Sequence, residues 1–436
     1  MSERGSFSGK IGFIMATAGS AVGLGNIWRF PTMAASHGGG AFLLAYIIIV
    51  VVFGLAMVCT EIALGRMTRK SPIDAYGTLR PRAKIIGVLS TLVPALIYPY
   101  YCVVGGWIIG YLGYYLAGSD CIGIFGDFSG SYLAVLTTIV FISIVGIIVY
   151  LGVDRGIEKL STIFMPVFLI LLVILVVYVL FQPGSMGGME YFLLPDLSHV
   201  DASVFTSALG QAFFSLSLAM GITITYGSYM KKQDSIQRSS MTVIVIDSAI
   251  AILAGLLIVP IAYNAFGESM PSGAGLVFVA LPEIFTGMPG GTLVAIFFFI
   301  MLFIAAVTSA VSILEAVVST IIDRFHATRH RAVLFVTLPT LVVGTLISLG
   351  FGPLDWINIA GKGLLDLFDF ASNTVLMPVV ALLMCIFIGH VIGPKVITDE
   401  IESSGGFSLK RIYPILIKWV FPVFLAIILV TGVLGI

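Results

Sequence analysis

Charge is scarce in this chain: Asp, Glu, Lys and Arg make up 10% of the 436 residues, and apolar residues make up 59%. Soluble domains carry about 25% charged residues, so this composition excludes an ordinary soluble protein. The 22 basic and 22 acidic side chains leave no net charge, and no nucleic-acid or acidic partner is implied. Of the four cysteines only Cys121 lies between apolar runs, so no disulfide framework is expected.

Catalytic signatures are also missing. The sequence contains no His-Glu-x-x-His, Gly-x-Ser-x-Gly or Walker A motif. His326 and His330 are four residues apart, as zinc ligands can be, but they lie in a basic segment where solvation is the simpler interpretation. We therefore expect no enzyme activity.

Apolar runs of membrane-spanning length dominate what is present. Eleven can be counted, at residues 11–35, 40–65, 84–117, 132–151, 157–181, 202–230, 237–265, 289–322, 333–350, 364–394 and 410–436. The first is not a cleaved signal peptide, because it is too long, has no small-residue cleavage site and carries Arg29 at its far end. The runs predict an all-α polytopic membrane protein with eleven transmembrane helices in a single transmembrane domain, residues 1–436.

Lys and Arg are nearly absent from every second loop between the apolar runs. Three loops contain neither residue, those near 118–131, 182–201 and 267–288. Every even-numbered run is instead followed by a basic loop, and only Lys362 breaks this pattern. By the positive-inside rule, the alternation predicts a multi-pass protein of the cell (inner or plasma) membrane with a cytoplasmic N-terminus and an extracytoplasmic C-terminus.

The first run contains residues that a helix spanning lipid does not need. Gly19, Gly23 and Gly25 lie in its middle beside the polar Asn26, and glycine lowers helix stability. Backbone released from helical hydrogen bonding is tolerated at membrane depth only where it is buried in protein or lines a cavity. An interrupted helix offers carbonyls to a cation and a half-helix N-terminus to an anion, which points to ion-coupled solute transport.

Two halves of inverted topology are possible, because five helices are an odd number and the second half would start from the opposite side. The predicted halves and the last helix lie at about 11–181, 202–394 and 410–436. This arrangement also predicts that helix 6 is broken like helix 1, and Ser215, Ser217 and Gly221 lie at its middle. Serine is common in unbroken membrane helices as well, so this signal is weaker than the one in helix 1.

Ionisable side chains deep within the runs are few: Glu61, Asp247 and Glu315. Charges at this depth are costly and are functional by default. Asp247 stands alone in an apolar stretch, so it is interpreted either as a sodium or proton site or as a protonated carboxyl bonded to a neighbouring helix. Thr308 and Ser309 add hard oxygen ligands suited to Na⁺, although such pairs in membrane helices mostly serve packing.

Several segments resemble the signature of the neurotransmitter:sodium symporter family, and the prokaryotic amino-acid transporters with the leucine-transporter fold look most similar. The resemblance begins with Gly-Leu-Gly-Asn-Ile-Trp-Arg-Phe-Pro at residues 23–31. It continues through the segments at 37–42, 61–66, 100–101, 210–221, 225–229 and 305–309. It covers essentially the whole chain and implies an inverted five-helix repeat with unwound helices 1 and 6. Many members have twelve spans, whereas this chain has the eleven of some bacterial members.

The resemblance implies two Na⁺ ions beside the substrate. The groups expected at the first ion are the carbonyl of Ala21 and the side chains of Asn26, Ser215 and Asp247. The chain departs from the family at the last of these, which is commonly Asn. The groups expected at the second ion are the carbonyls of Gly19, Val22 and Ala305 and the hydroxyls of Thr308 and Ser309.

The resemblance also implies a pocket for a small-molecule amino acid. The groups expected at its carboxylate are the amides of Leu24 and Gly25 and the hydroxyl of Tyr101. Those expected at its amino group are the carbonyls of Ala21, Phe214 and Ser215 and the hydroxyl of Ser217. The positions around its side chain are Ile97, Phe214, Ser217, Met220, Ser309 and Ile313. This lining has no charged group to meet a second amine or acid, so a neutral hydrophobic or aromatic L-amino acid is predicted.

Two ion-pair gates are implied as well. Arg29 is expected to pair with Asp369 at the outer end, and Arg4 with Asp323 at the inner end. Glu61 is expected to brace the unwound segments of helices 1 and 6.

These features predict sodium-coupled symport of the amino acid into the cell, across the lipid bilayer, by alternating access. Animal relatives bind chloride near the first Na⁺, whereas Asp247 places a carboxylate there, so transport is expected to be independent of Cl⁻. The alternatives are a proton-coupled amino-acid carrier, and a non-transporting sensor or channel on the same fold. No oligomeric state is predicted.

Overall fold

The computed structural model describes residues 5–119, 121–196, 198, 200–267 and 269–434, and its long apolar helices follow the predicted spans. Nine of the described helices are long and apolar enough to cross a membrane uninterrupted, and two further spans are broken. In chain order the spans are α1 (Lys10–Ala21 with Gly25–Ser36), α2 (Gly40–Thr68), α3 (Pro81–Leu116), α4 (Tyr132–Tyr150), α5 (Val153–Leu180), α6 (Ala202–Ser215 with Ile222–Tyr229), α7 (Ile236–Phe266), α8 (Gly291–Phe325), α9 (Arg329–Leu349), α10 (Leu364–Ile392) and α11 (Tyr413–Leu434).

Helix α1 is broken where the sequence predicts it. Its two halves meet at an angle of 52°, because Val22 leaves the helical region with ψ 93°. The break is stabilised locally, since the backbone N–H of Gly23 donates to Oδ1 of Asn26 at 3.3 Å. A Cβ on Gly23 would lie 2.7 Å from Oγ of Ser309, so only glycine permits this close approach to α8.

Helix α6 is also broken, over residues 216–221. Ser217, Ala219 and Gly221 all have positive φ, at 52°, 62° and 69°, so no helical hydrogen-bond ladder continues through them. Glu61 of α2 supports this segment, because it accepts hydrogen bonds from the backbone N–H of Ala219 at 2.7 Å and from the hydroxyl of Thr223. The resemblance implied that Glu61 also braces the unwound segment of α1. In the described part of the chain, however, Glu61 makes no hydrogen bond to α1.

Two of the segments between spans carry short helices, at Ser185–Leu193 and Gly273–Thr286. Two isolated bridges are the only β-pairing among the described residues. Helix α8 lies at the centre of the bundle, because 78% of its most apolar stretch of 18 residues is buried. Helix α11 lies at the edge, because only 17% of the corresponding stretch is buried. The broken segment of α1 approaches Ser309 of α8 and Tyr101 of α3 at Gly23, and the hydroxyl of Ser90 of α3 lies 3.5 Å from the carbonyl oxygen of Ala219 in α6. Below, the two ends of the bundle are called the Arg29 end and the Asp323 end.

Candidate substrate and sodium sites

A cavity of about 580 Å³ begins at the two unwound segments and continues to residues of the Arg29 end. All eleven predicted substrate residues line it: Ala21, Leu24, Gly25, Ile97, Tyr101, Phe214, Ser215, Ser217, Met220, Ser309 and Ile313. The N-terminus of the second half of α1 also opens onto this space, and the first N–H groups of a helix have no partner within it. The cavity thus combines apolar walls with peptide groups released by the breaks in α1 and α6.

Two hydroxyls on the cavity wall have no hydrogen-bond partner within the described residues. They belong to Tyr101 and Ser20, whose side chains are 9% and 6% exposed. A buried polar atom without a partner is costly, so such atoms indicate where a ligand can bind. Sequence reasoning found Tyr101 but missed Ser20, which follows the predicted ligand Gly19 in the same segment. These hydroxyls can hydrogen-bond the polar groups of a bound zwitterion.

Asp247 of α7 lies at the centre of a buried polar cluster and is fully inaccessible to solvent. Its carboxylate accepts hydrogen bonds from Nδ2 of Asn26 at 2.8 Å and from Oγ of Ser215 at 2.8 and 3.0 Å. The hydroxyl of Tyr46, which the sequence did not indicate, donates to it from 3.4 Å. Three of the predicted groups of the first ion are thereby brought together, beside Ala21 on the cavity wall.

This donor set suits a small hard cation. Its oxygen atoms are the carboxylate of Asp247, the hydroxyl of Ser215 and Oδ1 of Asn26, which now accepts from the backbone N–H of Gly23. Na⁺ prefers such oxygen ligands to nitrogen or sulfur. The described chain places no Lys or Arg in an ion pair with Asp247. A buried carboxylate without a protein counter-ion is strongly disfavoured unless a cation or a proton compensates it. A sodium ion would meet that need and would face the cavity through Asn26 and Ser215.

The predicted second ion site lies between α1 and α8. Oγ of Ser309 is 3.4, 3.2 and 3.2 Å from the carbonyl oxygens of Gly19, Ser20 and Val22. Oγ1 of Thr308 is 3.1 Å from the carbonyl oxygen of Ala305. The structure therefore brings the hydroxyl of Ser309 to carbonyls of α1 at its break, whereas the hydroxyl of Thr308 bonds within α8. The carbonyl of Ser20 is an addition to the predicted set.

At the Arg29 end, the implied ion pair is not formed. Arg29 and Asp369 both line the cavity, but no ion pair joins them in the described part of the chain. The guanidinium of Arg29 instead lies 4.9 Å above the ring of Phe214. Oδ1 of Asp369 accepts hydrogen bonds from Tyr100 at 3.1 Å and from Asn373 at 2.7 Å. Because each charge has another neighbour, the two do not close the cavity in this conformation.

The Asp323 end is closed by the N-terminal segment. Phe7 is 1% exposed and packs edge-on against Phe13, Tyr226 and Tyr229. The implied partner of Asp323, Arg4, lies outside the described residues, so this pairing stays a prediction. Asp323 itself accepts a hydrogen bond from the backbone N–H of Ser71 at 2.7 Å.

A second buried charge cluster near the Asp323 end was missed. Glu315 of α8 accepts two hydrogen bonds from Arg329 of α9, each at 2.8 Å, and one from the hydroxyl of Tyr229 at 2.7 Å. The sequence marked Glu315 as an intramembrane charge but gave it no partner. The available signal was the arginine at the start of the next span. This cluster ties the inner half of α6 to α8 and α9.

Comparisons with known proteins agree with this geometry. A family model described as the sodium:neurotransmitter symporter family matches residues 4–121 and 125–436. The uncharacterized sodium-dependent transporter YhdH of Bacillus subtilis is 34% identical over 97% of this chain and 96% of its own length. An uncharacterized sodium-dependent transporter of Methanocaldococcus jannaschii is 33% identical over 93% of this chain and 86% of its own length.

The solved structures include one with a closely similar fold. The crystal structure of MhsT in complex with L-phenylalanine is 34% identical and covers 99% of this chain and 100% of that one, with a TM-score of 0.88. Similarity over whole chains, rather than over one motif, places the protein among sodium-dependent membrane transporters and not among enzymes. The chain belongs to the sodium:neurotransmitter symporter family.

Proposed function

We propose that this sodium-dependent symporter carries a neutral hydrophobic or aromatic L-amino acid into the cell together with two Na⁺ ions. Access would alternate between the Arg29 end, predicted to be extracytoplasmic, and the Asp323 end, predicted to be cytoplasmic. The observation that carries the proposal is the buried Asn26, Ser215 and Asp247 cluster, which adjoins the cavity between the two unwound segments.

The substrate class follows from the cavity walls. Ile97, Met220 and Ile313 are apolar, and the charged side chains of the lining, Arg29, Asp366 and Asp369, belong to the Arg29 end. A second charge on the substrate side chain would therefore be buried without a partner. Methionine is flexible enough to adapt to side chains of different size. The relative MhsT, whose crystal structure contains L-phenylalanine, supports the same class.

The two ions would provide the driving force. Each Na⁺ that moves down the membrane potential contributes about 2.3 kcal/mol per 100 mV. The Asp247 cluster would hold one ion next to the substrate carboxylate, and the oxygens of Gly19, Val22 and Ser309 would hold the other. The family's sodium dependence argues against the proton-coupled carrier, and the clustering of polar groups at mid-depth argues against a channel.

Chloride independence would follow from the fixed charge of Asp247. The carboxylate occupies the space among Asn26, Ser215 and Tyr46, so an anion there would be repelled and would have no vacant donors. The position one helical turn further along α7, Ala251, is buried and carries no charge. Asp247 would therefore be the source of negative charge beside the first ion.

Uptake of radiolabelled amino acids into proteoliposomes tests the proposal. We expect uptake of L-phenylalanine and L-leucine with an inward Na⁺ gradient, none with a proton gradient alone, and no change when gluconate replaces chloride. Asp247→Asn should raise the Na⁺ concentration needed for half-maximal uptake at least tenfold, because the ion loses its charged ligand. Uptake that falls sharply in gluconate would disprove the chloride assignment, and uptake without Na⁺ would disprove the coupling.

A further inference from the structure

Lys418 is a charged residue inside a membrane span. It lies five residues after the start of α11, and at about 1.5 Å per residue its Cα is about 8 Å along the helix. Its side chain runs against α10, where a Cβ on Gly389 would lie 3.1 Å from Lys418 Cγ. In the part of the chain that the structure describes, its ammonium group makes no hydrogen bond or ion pair. A charge at this depth needs a partner.

His390 of α10 lies beside this lysine. Its Nε2 is 3.3 Å from the carbonyl oxygen of Lys418. Pro422, four residues later, has no N–H for the usual α-helical hydrogen bond to that carbonyl, and a carbonyl oxygen can only accept. Nε2–H therefore donates, and Nδ1 is left without a partner among the described residues. The indole of Trp419 is 65% exposed and packs edge-on against the same imidazole at 5.3 Å.

Both helices carry a π-helical turn at this place, as five other described segments of the chain do. Residues Phe387–Ile392 of α10 and Leu416–Val420 of α11 form π-helical turns, which recur at functional sites. In the helical segment Pro394–Glu402 between α10 and α11, Glu402 pairs with Lys410 at 2.8 Å and Glu400 with Arg66 at 2.6 Å, and Asp399 forms no ion pair among the described residues. Lys418 therefore gives this site a positive charge that no ion pair among the described residues balances.

We propose that this site binds the phosphate of an anionic phospholipid headgroup. Side chains of a helix point towards its N-terminus, which for α11 is the Asp323 end, so the ammonium of Lys418 is directed towards the headgroup layer. Basic sites between transmembrane helices recognise such headgroups. A lipid rather than free phosphate fits, because the exposed side chains of Trp419 and Ile415 adjoin the site and would contact its acyl chains.

Quenching of Trp419 by brominated lipids tests the site. The full-length protein would carry Trp356→Phe, because Trp356 is 74% exposed and would contribute background, and Trp419→Phe in that background would serve as the blank. In phosphatidylcholine nanodiscs, dibrominated phosphatidylglycerol should quench at least twice as strongly as dibrominated phosphatidylcholine at the same mole fraction. Lys418→Gln should remove this difference, and Lys418→Arg should retain it.

The matched control is Lys84→Gln. Lys84 begins its helical segment at the same end of the bundle, and its side chain likewise runs along a glycine, Gly77. The Lys84→Gln variant should leave the preference for phosphatidylglycerol unchanged. Thermal melting would show that each variant is folded. Equal quenching by the two lipids in the parent protein would overturn the proposal, as would a preference that survives Lys418→Gln. Loss of the preference in millimolar inorganic phosphate would show a phosphate site rather than a lipid site.

Discussion

At the scale of single residues, the informative atoms are buried polar groups that have no protein partner. Tyr101 and Tyr98 lie on the same helix, and both hydroxyls are buried without a hydrogen bond in the described chain. Only Tyr101 lines the cavity. Substituting each tyrosine can therefore distinguish a hydroxyl that binds a ligand, as proposed for Tyr101, from one that is only buried, as in Tyr98.

Tyr101→Phe should weaken amino-acid binding without destabilising the protein. In the proposed complex the lost hydrogen bond goes to the charged substrate carboxylate and is worth about 1.5–3 kcal/mol, which corresponds to a roughly 10- to 150-fold higher Kd. The melting temperature of the substrate-free protein should not fall, because the hydroxyl has no hydrogen-bond partner among the described residues. Scintillation proximity binding and thermal melting measure the two effects. Tyr98→Phe is the control, and an equal loss of affinity there would argue against a specific role for Tyr101.

Some residue-level features could be predicted from the sequence and others could not. Asp247 was conspicuous because a lone carboxylate in an apolar run needs compensation. Its contact with Tyr46 was not predictable, because it depends on how α2 packs against α7. Arg66, fully buried and bound to Glu400 at 2.6 Å, looked like an ordinary loop charge for the same reason. Composition identifies unusual residues, whereas the fold supplies their partners.

At the scale of elements, the sequence indicates the breaks in α1 and α6 to different degrees. In α1 the glycines predicted the break, and the structure confirms it. In α6 the unwound residues include Ser217 and Ala219, which adopt positive φ although they are not glycine. Such a conformation costs roughly 1–2 kcal/mol for a residue with a Cβ. A sequence pattern based on glycine therefore underestimates this break, which is enforced by tertiary contacts such as the one from Glu61 to Ala219.

Glycine at position 219 should be tolerated or stabilising. Ala219→Gly relieves the left-handed strain, and its extra unfolded-state entropy of roughly 0.5–1 kcal/mol offsets only part of the gain. Ala212→Gly, in the regular part of α6, should instead destabilise by about 1 kcal/mol or more, because it weakens a helix and removes a buried methyl group. Thermal melting of the two variants in the same detergent compares them. Equal losses would mean that position 219 is helical in solution.

At the scale of the whole molecule, the cavity extends to the Arg29 end, and aromatic packing closes the Asp323 end. The sequence supplied the residues on both sides but not this conformation, because two states that differ by a few kcal/mol share one sequence. The unformed pair of Arg29 and Asp369 belongs to this open state. The alternating access proposed above requires a second state in which the pair of Arg29 and Asp369 forms and the packing around Phe7 opens.

Phe7→Ala should shift the protein towards that second state. All four native cysteines are buried, so single reporters can be read against a low background. Ala274→Cys, on the cavity wall at the Arg29 end, should react quickly with a membrane-impermeant maleimide, and Ser228→Cys, 4% exposed near the other end, slowly. Loss of the Phe7 ring removes its edge contacts with Tyr226 and Tyr229 and thus favours opening at Ser228.

The rates of labelling in detergent should therefore fall at Ala274→Cys and rise at Ser228→Cys when Phe7 is replaced, and added Na⁺ should partly reverse both changes. Phe407→Ala is the control, because Phe407 is also buried at the Asp323 end but packs on Tyr413 rather than on the N-terminal segment. In intact cells the impermeant reagent should reach only the Ala274 reporter if the Arg29 end is extracytoplasmic. Faster labelling at both reporters would indicate loosening rather than alternation, because opposed access requires that one end closes as the other opens.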